Sequence, residues 1–520
     1  MKKRLWLYVL SGLAVYGLLL IILVFAEKDQ PQAEIRGFWD ALWYSLVTLT
    51  TVGYGDLYPV SPLGRAVGLV FLLLSVGLLA SALGTAASFM RDRLFPRLRM
   101  ERLRGKRCFI FSEANEAGTA LAEDLQRKDA QAAIVFCNCG KQDAESAPLN
   151  ARRVLRFAGD AAAFTQRVGH AAEKTVFLMG ESAAENYKAA AALTGNVDAL
   201  YCRAPETAGL PEVHFFEDAV CAARAYWLRH PLGDEETRIV LVGDGRLARG
   251  LLNQSVLMNC RLPFKATAVH LFGDWREYRL CHPALARVFA ADERDAARDA
   301  LVFHTGAWQE DPELLEQAHR IIFCADSPEK NAEEISLLLR CFPVTGRVYG
   351  AAEALPAPAV AFGDLREICT AEIVMRSALD AQAQALHALY CRRTGETVSW
   401  ESLSPFLKAS NRAAADHLLT KLRLLLPDKA VTDITPEIRL EAAARWEAMA
   451  DREPCRRNEH ERWLRLYLLY NWRQGPEKDA ARRTHPCIVP YEELSQAERE
   501  KDDSAWLYIG LVNEEGGDGT

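Results

Sequence analysis

The sequence predicts a multi-domain fold: an α-helical transmembrane pore region of two spans with a re-entrant helix between them, two α/β Rossmann-like doubly wound domains, and a small C-terminal α-helical module. Three observations predict it. Two long uncharged runs, Leu5 to Ala26 and Ala66 to Met90, bracket a short apolar segment near the start. Short β-rich runs alternating with helical stretches then occur as a set twice in succession, the pattern of a parallel sheet covered by helices. Towards the end the composition turns to tryptophan, tyrosine and arginine. At 520 residues the chain is too long for one core. Its averages, 50% hydrophobic, 25% charged and net charge −7, conceal two unlike parts. The expected divisions are a pore domain at 1–92, a basic linker at 93–106, Rossmann-like domains at 107–232 and 233–380, a helical region at 381–440, a module at 441–510 and a frayed, disordered tail at 511–520.

Each uncharged run exceeds the roughly 20 apolar residues that carry a helix across about 30 Å of hydrocarbon. The first has a basic start like a signal peptide, but it is long and ends in Glu27-Lys28-Asp29 without a small-x-small cleavage pattern. Lys2, Lys3 and Arg4 precede the first run, and a series from Arg91 to Arg107 follows the second. Both termini are therefore expected on the cytoplasmic side of the cell (inner) membrane. Phe38 to Thr50 is too short to cross, so it must enter and return, which non-helical backbone tolerates only when buried in protein or lining a wet pore. All thirteen cysteines lie beyond residue 100, as suits a reducing compartment, and the lone Cys137-Asn138-Cys139 pattern is read as core and loop thiols with no metal.

Between the runs lies Thr50-Thr51-Val52-Gly53-Tyr54-Gly55-Asp56. Gly53 and Gly55 let successive carbonyls turn to one side, because glycine enters the positive-φ region freely. The stretch resembles the potassium-channel selectivity filter, where four such loops replace the ion's hydration shell. The resemblance is to two-helix bacterial potassium channels and covers Ala41 to Met90. It implies a filter at Thr51, Val52, Gly53, Tyr54 and Gly55, K+ as the permeant ion and a homotetramer. It also implies support from Trp43, whose indole N–H donates to Asp56. Val47 departs from the pattern, standing where some relatives carry a glutamate that pairs with the filter aspartate. Gly77 and Gly84 are candidates for a gating hinge in the second span, or small-residue packing positions. Without an arginine-rich membrane helix, gating by something other than voltage is expected.

The first set of strands is expected at 107–111, 133–136, 154–157, 175–179, 199–202 and 213–216, the second at 238–242, 266–272, 300–304, 320–324, 347–349 and 359–362. Their position after a pore makes them resemble RCK domains, relatives of the NAD-binding (TrkA-N) subunits of potassium transporters. That resemblance implies a cytosolic ring that gates the pore on binding a ligand. In the second unit Gly243-Asp244-Gly245-Arg246-Leu247-Ala248 matches G-x-G-x-x-A between a strand and a helix. Gly243, Asp244, Gly245, Arg246, Ala248 and the late acid Asp274 are its candidates for NAD(H) or another adenine nucleotide; a glycine turn kept for packing is the alternative. In the first unit Ser112-Glu113-Ala114-Asn115-Glu116-Ala117 opposes a phosphate, so a structural role is expected. Neither unit shows a nucleophile with a base and an orienting partner, so no enzyme is expected. The alternative to a ligand-gated potassium channel is a membrane-anchored NAD-binding redox enzyme or sensor.

Helical patterns run on from Leu365 to Arg393, from Arg412 to Leu426 and from Glu437 to Ala450. After them Trp463, Tyr467, Tyr470, Trp472 and Thr484-His485-Pro486 to Leu494 resemble the RyR repeat, a small helical module named after ryanodine receptors. Trp463, Tyr470, Trp472, Arg473, His485 and Tyr491 are candidates for a base-bearing, phosphorylated ligand, with Arg462, Arg465, Arg482 or Arg483 to hold phosphates. A small aromatic core is the alternative. The bilayer and a nucleotide-type small molecule are the expected partners, and nucleic acid is not.

Overall fold

A computed structural model describes residues 2–90, 103, 105–138, 154–168, 173–207, 209–289, 298–429 and 431–511, with side chains from residue 14 onward except at 75, 77–79, 81–82, 88, 507 and 510–511. The linker, apart from its residues 103, 105 and 106, the end of the tail and Cys139 lie outside the described residues. The chain divides into two compact units, Met1–Arg104 and Gly105–Thr520.

The first unit is three helices. α1 (Lys2–Glu27) and α3 (Pro62–Phe89) cover the two uncharged runs, and α2 (Phe38–Leu49) is the short apolar segment between them. Among the described residues no helix is long and apolar enough to cross a membrane. Leu20, Leu23, Ile35, Ala41, Val67 and Phe71 form the core where the three meet. α2 begins where Asp40 accepts the backbone N–H groups of Arg36 and Gly37, each at 3.0 Å. α3 begins at Ser61, whose hydroxyl accepts the Gly64 N–H, with Pro62 supplying the fixed φ of a first turn.

The second unit holds two six-stranded, all-parallel sheets of identical connectivity, β3-β2-β1-β4-β5-β6 and β12-β11-β10-β7-β8-β9. Both are the doubly wound order in which ligands bind at the reversal beyond the strand ends. The strands are β1 (Arg107–Phe111), β2 (Ala133–Phe136), β3 (Val154–Arg156), β4 (Glu173–Leu178), β5 (Ala199–Arg203) and β6 (His214–Phe216). The second sheet has β7 (Arg238–Val242), β8 (Ala268–Phe272), β9 (Ala300–His304), β10 (Arg320–Phe323), β11 (Arg347–Ala351) and β12 (Val360–Phe362). One asparagine per sheet ties the ends of two strands together. Asn186 donates to the carbonyls of Gly180 and Arg203, and Asn331 to those of Ala325 and Ala351. The sheets join through helix Asp218–Arg229 packed on helix Arg246–Met258. Gly250 permits the approach, since a Cβ there would stand 3.2 Å from the Ala219 carbonyl.

The continuous helical pattern expected from Leu365 to Arg393 is broken. Asp364 and Thr370 cap two separate turns, Leu365–Ile368 and Ala371–Val374, and Ser377 adopts φ +50° before the helix Ala381–Thr394. The break lets the chain return to the first sheet, where Cys369, Ala371 and Val374 complete the core under helix Glu116–Lys128. The boundary expected at 380 therefore follows a segment that packs on the first domain.

The C-terminal module shares its core with the second sheet. Helix Glu453–Leu469 contributes Leu466, Tyr467, Leu468 and Leu469 to the same buried cluster as Leu251, Val269 and Leu271. Its buried Asn458 donates to the carbonyls of Cys260 and Leu262, and Arg465 pairs with Asp299 at 2.7 Å. The described cysteines are free thiols.

Candidate functional site

The loop after α2 alternates its backbone. Thr51, Gly53 and Gly55 have φ of +61°, +56° and +73°, while Val52 and Tyr54 between them do not enter the positive region. The donors of this loop turn back to the helix: the N–H groups of Val52 and Gly53 both reach the Val47 carbonyl, at 3.0 and 3.3 Å. Among the described residues no carbonyl from 51 to 55 accepts a backbone hydrogen bond. The first three residues of the loop thus spend their N–H groups on α2, while no backbone donor among the described residues takes the loop's oxygens. Trp43 donates its indole N–H to Asp56 at 2.9 Å and stacks on Tyr54 with ring centroids 6.2 Å apart. Gly84 lies within α3 with nothing inside 4 Å of a Cβ position; the surroundings of Gly77 lie outside the described residues.

Glu27 has a role here that the sequence reading missed, having counted it only among the charges ending the first run. Its carboxylate is 1% exposed. It accepts the N–H groups of Val60 and Ser61, each at 3.0 Å, and the Ser61 hydroxyl at 2.6 Å. Gly64 makes room, since a Cβ there would stand 2.1 Å from a Glu27 oxygen. The end of α1 is thereby pinned to the chain that follows the glycine loop. An acid placed directly at the end of an apolar run was the available signal.

At the glycine turn of the second sheet, Gly243 has φ +134°, and a Cβ there would stand 2.7 Å from the Cys324 backbone. Gly245 precedes helix Arg246–Met258 with no side-chain cap, the arrangement that offers N–H groups to a phosphate. The place is taken. A Cβ on Gly245 would stand 2.0 Å from an Asp326 carboxylate oxygen, so the chain's own anion lies where a pyrophosphate would approach. The other candidates are also engaged. Asp244 accepts the Asp274 N–H at 2.6 Å. Asp274 is clasped by Arg276 at 2.8 and 2.5 Å, which brings its carboxyl down to about 2. Arg246 reaches Glu181 at 3.1 Å, and Ala248 is buried in the core. The Asp274 carboxylate is thus already held by an exposed arginine two residues on. In the first sheet Asn115 fills the corresponding turn, accepting the Gly118 N–H and donating to the Met179 carbonyl.

Replacing Asp326 by alanine should open the turn. ADP or NAD is expected to raise the thermal midpoint of Asp326→Ala but not of a variant also carrying Gly245→Arg, as read by thermal shift. An equal response of both would place the nucleotide elsewhere.

In the C-terminal module the aromatic candidates are mostly core. Trp472 is 5% exposed and stacks on Phe406 at 5.1 Å, with Tyr470 edge-on to the same ring at 5.2 Å. Trp463 packs on Tyr467 at 4.1 Å and edge-on to His485 at 5.0 Å. Tyr491 is buried under Arg499, whose guanidinium lies 4.8 Å from its ring. Burial lowers the His485 pKa, and its Nδ1 accepts the Cys487 N–H. Arg462 and Arg465 are buried and paired with Glu459 and Asp299. Arg482 pairs with Asp479, and Arg483 donates to the Tyr470 carbonyl. Of the six candidates only Arg473 is exposed. Tyr467 and Trp472 belong to the core shared with the second sheet, and Trp463 and Tyr470 pack against it partly buried.

With this geometry established, comparison with known proteins is specific at both ends of the chain. Residues 5–92 match the ion channel family model, and residues 440–507 match the RyR domain. A voltage-gated potassium channel of Aeropyrum pernix is 36% identical over 80 residues, covering 15% of this chain and 26% of that protein. The calcium-gated potassium channel TvoK of Thermoplasma volcanium is 39% identical over 80 residues, covering 15% and 21%. The matched stretch thus spans about a quarter of the length of these curated relatives. Among solved structures, GsuK bound to ADP overlaps 72% of this chain and 100% of its own at 14% identity and TM-score 0.37. The GsuK channel bound to NAD overlaps 74% and 86% at 12% and 0.36. Similarity this distant does not extend to ligands.

Proposed function

We propose that the chain is the subunit of a potassium-selective channel, four copies forming one pore, whose opening is set by its second unit. The observation that carries this reading is the backbone of residues 51 to 55. Alternating positive φ turns neighbouring carbonyls to a common side, and among the described residues those carbonyls accept no backbone hydrogen bond. A dehydrated cation is the partner such oxygens suit. Trp43 and Asp56 brace the loop from outside, and Glu27 pins its exit. Val52 and Tyr54 are 52% and 69% exposed on the single chain, as expected for a loop that faces its copies around an axis. α1 and α3, at 26 and 28 residues, are about 39 and 42 Å long at 1.5 Å per residue, and they carry the two uncharged runs. The basic residues at both ends favour cytoplasmic termini.

The second unit supports a sensing role because it repeats a ligand-binding topology. A nucleotide-type ligand enters the glycine turn of the second sheet once Asp326 has moved. It gates the pore only to the extent that it binds the open form more tightly than the closed one. In liposomes the purified protein is expected to pass K+ far faster than Na+, measured as paired flux assays. Equal fluxes would sink the proposal.

A further inference from the structure

A cavity of about 320 Å³ lies beside β6, enclosed by helix Asp218–Arg229, the broken segment 373–380, the turn at Trp400 and helix Pro405–Asp416. This volume is in the range of small-molecule sites. Its cations are already matched. Arg224 donates to Asp380 at 2.6 Å and to Asp416 at 2.7 Å. Lys408 and Arg412 share Glu206, and Arg412 also grips Asp380 while its face covers the Trp400 ring. Arg376 pairs with Glu372.

Two lining carboxylates are left over. Among the described residues neither the Glu217 carboxylate, half-buried in the wall, nor that of the exposed Glu401 has a hydrogen-bond or ion-pair partner. Burial first, and then the neighbouring Asp218, push the Glu217 carboxyl above its ordinary range, against the weaker pull of Arg246 and Arg412. Val220, Val374 and Met375 give the otherwise polar lining an apolar part. An anionic ligand would find no unmatched cation here, whereas an ammonium ion supplies the counter-charge that the fold leaves out.

We propose that this cavity binds a linear aliphatic polyamine, one ammonium group on Glu217, the methylene stem on the apolar part of the lining and a second ammonium at Glu401. The full-length protein in nanodiscs of zwitterionic lipid, dialysed to equilibrium against radiolabelled spermidine, is expected to bind one saturable equivalent per chain. Glu217→Gln, which removes charge but no hydrogen bond of the fold, should weaken binding at least about tenfold, the loss expected for one charge-assisted contact. Val220→Trp, which fills the cavity, should do the same, and Glu212→Gln on the exposed surface should change nothing. Unaltered binding in Glu217→Gln, as for an amine lodged in the pore, overturns the proposal. So does displacement by an equal concentration of Mg2+, or the absence of saturable binding.

Discussion

Gly53→Ala is expected to abolish potassium current while leaving the helices folded. Gly53 sits at φ +56°, between residues outside the positive region. An L-residue there costs roughly 1–2 kcal/mol. In a pore of four chains the cost recurs in every copy. The chain escapes it by rotating the peptide, which swings one carbonyl out of the row and puts a methyl group towards it. A Cβ on Gly53 meets nothing within 4 Å on its own chain, so backbone strain rather than local crowding drives the change. Thr51 already holds φ +61° despite its branched Cβ, and strain of this kind persists only when its surroundings over-determine it. The Val47 carbonyl, the Trp43–Asp56 bond and the Glu27 clasp supply that restraint. K+ flux from liposomes should fall to the protein-free background in Gly53→Ala, with unchanged circular dichroism. Gly209→Ala, in an exposed loop without positive φ, should conduct normally. Undiminished, selective flux from Gly53→Ala would remove the filter from this loop.

The strands were legible in the sequence because fully buried parallel strands read as short apolar runs, and their repetition in two sets made the connectivity visible. Observed ends differ from expected ones by only one or two residues, as at β4 and β8. The proposed filter stood out in the sequence because its glycines, its tryptophan and its aspartate are close in the chain. What was not legible depends on residues brought together by the fold. Asp326 comes to lie on Gly245 only because β10 and β7 are adjacent in the sheet. The aromatic set of the C-terminal module was read as a ligand cage since cage and core have the same composition. Docking of helix Glu453–Leu469 on the second sheet decides between them, and neither partner's sequence announces the other. The helical break at 369–377 likewise answers to a core contributed by the first sheet.

The same docking creates the second large effect, at a buried charge cluster between helix Leu418–Leu425 and the module. Glu459 lies between Lys421, at 2.7 Å, and Arg462, at 2.6 Å, and all three are at most 5% exposed. Asp502 stands beside them, its carboxylate without a hydrogen-bonded partner among the described residues. Burial, and next the charge of Glu459, raise its carboxyl to about 8, against the pull of Arg462 and Lys421. The two cations hold Glu459 well below the ordinary range against its desolvation. Glu459→Gln leaves two buried cations with no matched anion, a loss of about 3–5 kcal/mol. Asp502 then loses its repelling neighbour, ionises and recovers part of the loss. The double variant Glu459→Gln/Asp502→Asn should therefore melt lower than the sum of the single effects, a coupling that contact between the sites requires. The pH dependence has opposite signs at the two acids. The depressed Glu459 contributes stability present above its ordinary pKa and lost as pH falls through the folded value. The raised Asp502 contributes stability present below about 3.9 and lost as pH rises through about 8. Thermal melts of Asp502→Asn should lie closest to wild type at about pH 4, the unfolded carboxylate range, and exceed it increasingly up to pH 9. Identical midpoints at pH 9 would mean that Asp502 carries its charge there without cost, and that the cluster balances without it.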